Sequence, residues 1–210
     1  AIGFSDDWMG ITSDRPEKPN VSLVTSSDDN SIISLDLSGF SLEPVVIDGS
    51  EYYTVKFPVS ASILEQGNPD LPKISSSIIV SDNKSMSLEV LSSNFIDYEN
   101  IDIAPSKGNF SRLINPNDVP YLFNTIYKQD TFYPENIVQL NEPYILRDYR
   151  GQVVEFHPIQ YNPVTKILRV YTNIEVQVSS NDDNFVVNPL IRDREIEKID
   201  NEYKNIYGNH

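Results

Sequence analysis

The residues that decide the fold lie near the end of the chain, where positions 168–178 read Leu-Arg-Val-Tyr-Thr-Asn-Ile-Glu-Val-Gln-Val. Apolar and β-branched residues occupy every second position of this stretch, and mostly polar residues stand between them. A period of two places alternate side chains on opposite faces of an extended strand, so we expect a strand with one buried face. At about eleven residues, this strand is long enough to cross a whole sheet.

The segments before this strand predict a hairpin. Residues 160–166 read Gln-Tyr-Asn-Pro-Val-Thr-Lys, in which Asn-Pro is typical of a turn. The stretch Gly151–Phe156 precedes it and predicts another extended strand. We therefore expect the strand at 151–156 to pair with the strand at 168–178 in a hairpin.

The same alternation recurs in the first half of the chain, at residues 33–37, 53–57 and 86–90. Asp48-Gly49 separates two further apolar stretches and predicts a tight hairpin turn, since glycine permits the positive φ that such turns need. Together these patterns predict an all-β fold, an antiparallel β-sandwich over residues 21–180.

Three segments depart from the alternation. Residues 1–20 are polar apart from a few positions and predict a flexible lead-in that docks through Trp8. Residues 104–136 are punctuated by proline and glycine and predict one long irregular loop, of the kind that is usually functional or disordered. Residues 181–210 predict a linker and a C-terminal helix leading towards a further domain, because Asn188-Pro189 can begin a helix and apolar residues then recur at helical spacing, at Ile196, Ile199, Tyr203 and Ile206.

The composition excludes several classes of function. Acidic residues outnumber basic ones by 31 to 16, for a net charge of −15, so nucleic-acid backbones and anionic lipid surfaces repel the chain. No apolar stretch approaches the roughly 18 to 20 residues that insert across a bilayer. The chain has no cysteine, which excludes a thiol nucleophile and thiolate metal sites. We therefore expect neither nucleic-acid binding nor membrane insertion.

The sequence offers little for catalysis. Of its two histidines, His157 lies at a strand end before a proline and His210 is the last residue, and no Gly-x-Ser-x-Gly motif accompanies them. No phosphate-binding glycine loop and no metal-binding histidine pair is present. We expect no catalytic residue, no cofactor and no metal site. Two weaker alternatives stay open, a surface calcium ion near Asp28-Asp29 or Asp182-Asp183 and a carboxylate-based glycosidase.

Aromatic residues crowd the long loop and favour an alternative without catalysis. On a β-sandwich, exposed rings could form a sugar-binding face, so a module for carbohydrate or another surface ligand is a second hypothesis. Core packing of an irregular segment is the other explanation. The residues concerned are Tyr121, Phe123, Tyr127, Phe132, Tyr133 and Tyr144.

Several multi-residue blocks occur in an order that strongly resembles the N-terminal propeptides of the gingipains, the secreted cysteine peptidases of the C25 family. The blocks are Gly67–Pro72, Ala104–Arg112, Asn115-Pro116, Val119–Tyr121, Phe132–Pro134, Pro143–Asp148, Arg150–Val154, Gln160–Lys166 and Leu168–Thr172. The resemblance covers about residues 20 to 180. Several blocks in the right order are harder to obtain by chance than one short motif.

The resemblance implies a non-catalytic β-sandwich prodomain that assists the folding of an Arg- or Lys-specific peptidase domain in the same precursor and keeps it latent until proteolytic removal. It implies a bacterial protein that is exported, periplasmic in transit, and then secreted or held at the cell surface. The implied partner is the catalytic domain of a C25 cysteine peptidase. Processing at Arg192, Arg194 or another residue stays open.

The resemblance also implies an inhibitory loop, and the matching residues here are Lys107, Gly108, Asn109, Phe110, Ser111, Arg112 and Leu113. In the arginine-specific members, a loop arginine is thought to enter the specificity pocket, and Arg112 stands at the matching position. The residues agree with this, since a guanidinium on a long loop presents a planar fork that a buried carboxylate can bind with two hydrogen bonds. Lys107 is the rival anchor and would suit a lysine-specific partner.

Overall fold

The computed structural model describes residues 8–181 and 185–191, and these residues form almost entirely β-structure. The strands among the described residues are β1 (Trp8–Gly10), β2 (Asn20–Thr25), β3 (Asn30–Asp36), β4 (Gly39–Ile47), β5 (Ser50–Lys56), β6 (Ala61–Ser62), β7 (Pro72–Ile79), β8 (Ser85–Tyr98), β9 (Val138–Leu140), β10 (Tyr144–Leu146), β11 (Tyr149–Phe156), β12 (Ile159–Asn162) and β13 (Ile167–Asn181). Between β8 and β9 the chain forms two short 3-10 helices, Pro116–Asp118 and Thr125–Lys128. The all-β class and the long irregular loop are both confirmed.

Two five-stranded sheets form the layers of the sandwich, and all their strand pairs are antiparallel. The first has the order β12-β13-β3-β2, with β8 along the other edge of β13. The second has the order β10-β11-β7-β6, with β9 also paired to β11. A three-stranded sheet, β1-β4-β5, completes the fold.

The alternation along β13 builds the core as predicted. Leu168, Val170 and Ile174 are completely buried, as are Val176 and Val178. They pack in one hydrophobic cluster with apolar side chains of the opposite sheet. Each such side chain stabilises the fold by about 1.5–3 kcal/mol relative to an exposed one, so this strand is a main contributor to the core.

The Asp48-Gly49 hairpin is confirmed. These two residues join β4 to β5, with Ile47 opposite Ser50 in the register. Both have positive φ, +50° for Asp48 and +81° for Gly49, as the tight turns that match the strand twist require.

The hairpin predicted between 151–156 and 168–178 is wrong. β11, which contains Gly151–Phe156, pairs with β7, β9 and β10 in the opposite sheet, and the strand that forms the hairpin with β13 is β12. The crossing between sheets occurs at His157-Pro158, where Pro158 has no N–H to continue the ladder of β11.

The two ends of the chain are described only in part. Trp8 lies in β1, and its indole nitrogen donates to the Ser13 carbonyl at 3.0 Å. A Cβ atom at Gly39 would lie 2.4 Å from the Trp8 ring, so only glycine permits this close packing. The flexibility predicted for residues 1–20 stays a prediction. The helix start predicted at Asn188-Pro189 is wrong, because residues 185–191 are not helical and Asn188 has a φ of +46°. The rest of the predicted helix, over 196–206, lies outside the described residues.

Candidate functional site

The loop that carries the predicted inhibitory residues starts from a fixed position. Ser106 is buried, its amide donates to the Asn68 carbonyl at 2.7 Å, and its own carbonyl accepts from the Gly67 amide at 2.9 Å. This short ladder ties the start of the loop to the turn between β6 and β7.

Gly108 lies in the same anchored segment, residues 106–108, which we call the foot of the loop. Its amide donates to the Ser106 hydroxyl at 3.1 Å, and its φ is +78°, a conformation that side chains disfavour. A Cβ atom here would lie 2.8 Å from the Cβ of Gln66. The position therefore needs glycine both for its backbone conformation and for its contact with Gln66.

Lys107 points back into the loop rather than away from the protein. Its ammonium donates to the Pro116 carbonyl at 2.7 Å and lies 4.3 Å from the centroid of the Tyr121 ring. These two contacts occupy the cation and join the first and last parts of the segment that contains Arg112.

Arg112 and Leu113 form the tip of the loop as the central residues of a β-turn. The Ile114 amide donates to the Ser111 carbonyl at 3.0 Å, and the Leu113 amide donates to the Ser111 hydroxyl at 3.3 Å. Both side chains at the tip are exposed, Leu113 by 96%. Within residues 8–181 and 185–191, no hydrogen bond or ion pair holds the Arg112 guanidinium.

The remaining predicted residues connect the foot to the tip. Asn109 is exposed and Phe110 is partly buried. Beyond the tip, the Asn115 side chain accepts from the Asn117 amide at 3.0 Å and caps the first 3-10 helix. The seven residues Lys107–Leu113 therefore run from a buried, braced start at Gly108 to an exposed turn at Arg112 and Leu113.

Sequence reasoning missed Asn124, which braces the foot from the far side of the loop. Its amide nitrogen donates to the Gln66 carbonyl at 2.7 Å and to the Asn68 side chain at 3.1 Å, and its backbone N–H donates to the Gly67 carbonyl at 2.9 Å. The turn at Gly67 was visible in the sequence. The role of Asn124 had no local signal in the sequence, because its partner Gln66 lies 58 residues away.

Several loop aromatics pack against one another or against the sandwich. Phe123 is partly exposed and contacts Tyr52 and Tyr127 at tilted and edge-on angles, with centroid distances of 5.4 Å and 4.8 Å. Tyr127 is partly buried and donates its hydroxyl to the Ile103 carbonyl at 2.9 Å, and burial strongly raises the pKa of that hydroxyl. Phe132 covers the Arg169 guanidinium at 4.2 Å. This arrangement favours core packing over the flat exposed rings of a sugar-binding face.

His157 is buried at the wall of a cleft of about 490 Å³, with both ring nitrogens occupied. Nδ1 lies 2.8 Å from the Asn136 carbonyl, and Nε2 lies 3.1 Å from the Glu155 carboxylate. Burial opposes the ionisation of Glu155, but hydrogen bonds from Lys73 and His157 outweigh it and hold the pKa of this carboxyl below its ordinary range. The cluster cross-links β7, β11 and the loop before β9.

The structure also bears on metals and membranes. Within residues 8–181 and 185–191, no three histidine or acidic side chains are grouped so that they could hold a metal ion. Asp182 and Asp183 lie outside the described residues. None of the helical segments in the described part of the chain has the length and apolar character needed to cross a bilayer.

Comparison with known proteins agrees with this architecture. Gingipain R2 of Porphyromonas gingivalis is 40% identical over 182 residues, which cover 85% of this chain and 25% of that protein. The chain therefore spans about a quarter of the length of this curated relative.

Two solved structures have the same fold. The complex of the Porphyromonas gingivalis RgpB pro- and mature domains matches with a TM-score of 0.83 at 38% identity, covering 92% of this chain and 99% of that chain. A structure concerning the zymogenic latency of gingipain K from the same organism matches with a TM-score of 0.68 at 23% identity, covering 83% and 98% of the two chains.

The family assignment follows from the extent of these matches. The family model Propeptide_C25 matches residues 12–201, which include almost all of the described sandwich and the whole projecting loop. Because this match covers most of the chain and a relative is 40% identical over 85% of it, the chain belongs to the propeptide family of the C25 cysteine peptidases.

Proposed function

We propose that this chain is the inhibitory and folding-assisting prodomain of a secreted gingipain-like cysteine peptidase. In this account, the Lys107–Leu113 loop places Arg112 in the specificity pocket of the active-site cleft until the prodomain is removed by proteolysis. The observation that carries the proposal is the exposed guanidinium at the tip of a braced turn. The existence of an RgpB complex between pro- and mature domains supports a catalytic domain as the partner.

The geometry of the tip suits an inhibitor that a peptidase binds but does not cut. A cation that is exposed and unpaired within the described part of the chain loses few contacts when it enters a cleft, and the turn from Ser111 to Ile114 already fixes its backbone. Pre-organisation of this kind lowers the entropy cost of binding. The same turn keeps the Arg112-Leu113 bond out of the extended conformation in which peptidases cleave their substrates.

The contacts of Lys107 favour arginine over lysine as the anchor. Withdrawing Lys107 from the Pro116 carbonyl and the Tyr121 ring would break the closure of the loop. Insertion of Arg112 would break no hydrogen bond or ion pair of its guanidinium within the described residues. An acidic group at the base of a pocket would bind its planar fork through two hydrogen bonds.

The localisation follows from the same account. A prodomain of a secreted bacterial peptidase is exported with its catalytic domain, passes through the periplasm, and is released or held at the cell surface. Membership of the C25 propeptide family supports export.

The test is binding to an arginine-specific gingipain catalytic domain in two forms, one with a free cleft and one whose cleft is blocked by a covalent peptidyl-arginine inhibitor. We expect tight binding to the free form and binding at least about thirtyfold weaker to the blocked form, as for loss of one buried charge pair. Equal binding to both forms would contradict insertion into the cleft. Binding to neither form, with binding to a glycan panel instead, would favour a carbohydrate module.

A further inference from the structure

Arg150 is a buried cation in a surrounding of backbone carbonyls. It lies in β11 and its side chain is completely shielded from solvent. Its guanidinium donates to the carbonyls of Ser81 and Lys84, and also to those of Val187 and Asn188, with distances of 2.9 Å for the last three. One side chain therefore joins three separate parts of the chain.

Charge and geometry make this position specific for arginine. Burial lowers the pKa of Arg150, and the nearby Asp82 carboxylate opposes that effect. Four acceptors arranged around a planar group match the fixed donors of a guanidinium, whereas a lysine ammonium has three donors at a single point. A lysine here could keep the charge but not the whole set of bonds.

The segment that Arg150 holds follows the last strand and is fastened at further points. The Leu190 amide donates to the Asp82 carbonyl at 2.8 Å, and the Asn188 side chain donates to the Pro143 carbonyl at 2.7 Å. The Ser85 hydroxyl donates to the Phe185 carbonyl at 2.7 Å. We call residues 185–190 the strap. The side chain of Ile191, just beyond it, is 90% exposed.

We propose that Arg150 is a positioning residue that holds the strap against the turn between β7 and β8 and withholds it from peptidases. The proposal rests on the proposed function, in which the strap leads towards the peptidase domain of the precursor. A peptidase cleft binds several residues before the cleaved bond in extended form. Cleavage after Arg192, the first arginine beyond the strap, would therefore require Asn188–Leu190 to detach from the guanidinium and carbonyl partners described above.

The primary test is hydrogen exchange of the isolated chain, followed by mass spectrometry, in the parent and in Arg150→Lys. We expect peptides from 185–191 to exchange at least about tenfold faster in the variant, while peptides from β13 stay unchanged, because local opening has its own free energy. Unchanged exchange in the strap, or equal acceleration throughout the sandwich, would overturn the proposal.

Two further measurements secure the result. Leu190→Pro leaves Arg150 intact but removes the N–H that bonds to Asp82, so it should also accelerate exchange in the strap, even if Arg150→Lys does not fold. Trypsin should cleave after Arg192 at least about tenfold faster in either folded variant, with cleavage after the exposed Lys128 as the internal control. Equal rates after Arg192 would contradict a withheld strap.

None of these assays uses a gingipain. Their failure would therefore leave the inhibition proposal intact, and failure of inhibition would leave the proposal on Arg150 and the strap intact.

Discussion

The ammonium of Lys107 lies 2.7 Å from the carbonyl oxygen of Pro116 and closes the loop that presents Arg112. The same ammonium lies over the ring of Tyr121, so a cation–π contact adds to the hydrogen bond. This relationship assigns different tasks to the two cations of the loop. Lys107 maintains its shape, and Arg112 stays available at its tip.

Replacing Lys107 should therefore weaken inhibition without abolishing it. In Lys107→Met the aliphatic stem is kept, and the hydrogen bond and the cation–π contact are lost. We expect the inhibition constant against an arginine-specific catalytic domain to rise about threefold to tenfold, because the loop must then be ordered on binding. A loss as large as that of Arg112→Ala would contradict the division of tasks, and so would no change.

Gly108 and Gly49 offer a matched pair of substitutions. Both have φ near +80°, at +78° and +81°, but a Cβ atom at Gly108 meets Gln66 at 2.8 Å, whereas nothing lies within 4 Å at Gly49. Gly49→Ala should cost about 1 kcal/mol of unfolding free energy from backbone conformation alone. Gly108→Ala should cost about 1–3 kcal/mol more, as for overpacking. Urea unfolding of both variants checks the difference, and equal costs would show that the foot of the loop does not pack on Gln66 as described.

The cluster of Glu155, Lys73 and His157 predicts a loss of stability in acid. The pKa of Glu155 is lower in the folded chain than in the unfolded chain, so its contribution is complete above the ordinary glutamate range near 4.3 and is lost as the pH falls through the lower folded value. Glu155→Gln should lose about 1–3 kcal/mol at pH 7, and its deficit relative to the parent should shrink below about pH 4. Urea unfolding at several pH values tests this, with Glu89→Gln on exposed β8 as the control. A deficit that is constant with pH would contradict it.

Much of the fold could be predicted because its signals are local. The alternation along β13 and the Asp48-Gly49 turn each depend on a few neighbouring residues, and both appear in the structure as expected. The pairing of β11 could not be predicted in this way. Its partner β7 lies far away in the sequence, and an alternating pattern shows which face is buried but not which strand lies alongside.

In the candidate site, too, some features could be predicted from the sequence, and the contacts between residues far apart in the chain could not. The loop and its arginine were predicted from a resemblance in the order of several blocks, whereas the contacts that brace the loop come from residues without a local pattern. Asn124 reaches back to Gln66, and Arg150 reaches the carbonyls of Ser81 and Val187. In the sequence, Arg150 stands in an Arg-Asp-Tyr-Arg-Gly segment that looks like an ordinary surface turn. Its complete burial depends on segments that only the tertiary fold brings together.

The most direct test of the central claim is the inhibition constant of the full chain against an arginine-specific gingipain catalytic domain, measured for the parent, Arg112→Ala and Arg15→Ala. Arg15 is an exposed arginine outside the loop and serves as the matched control. The account predicts that Arg112→Ala loses about 2–5 kcal/mol of binding free energy, or at least about thirtyfold in affinity, while Arg15→Ala stays within about twofold of the parent. Equal inhibition by the parent and Arg112→Ala would contradict the claim that this arginine is the anchor.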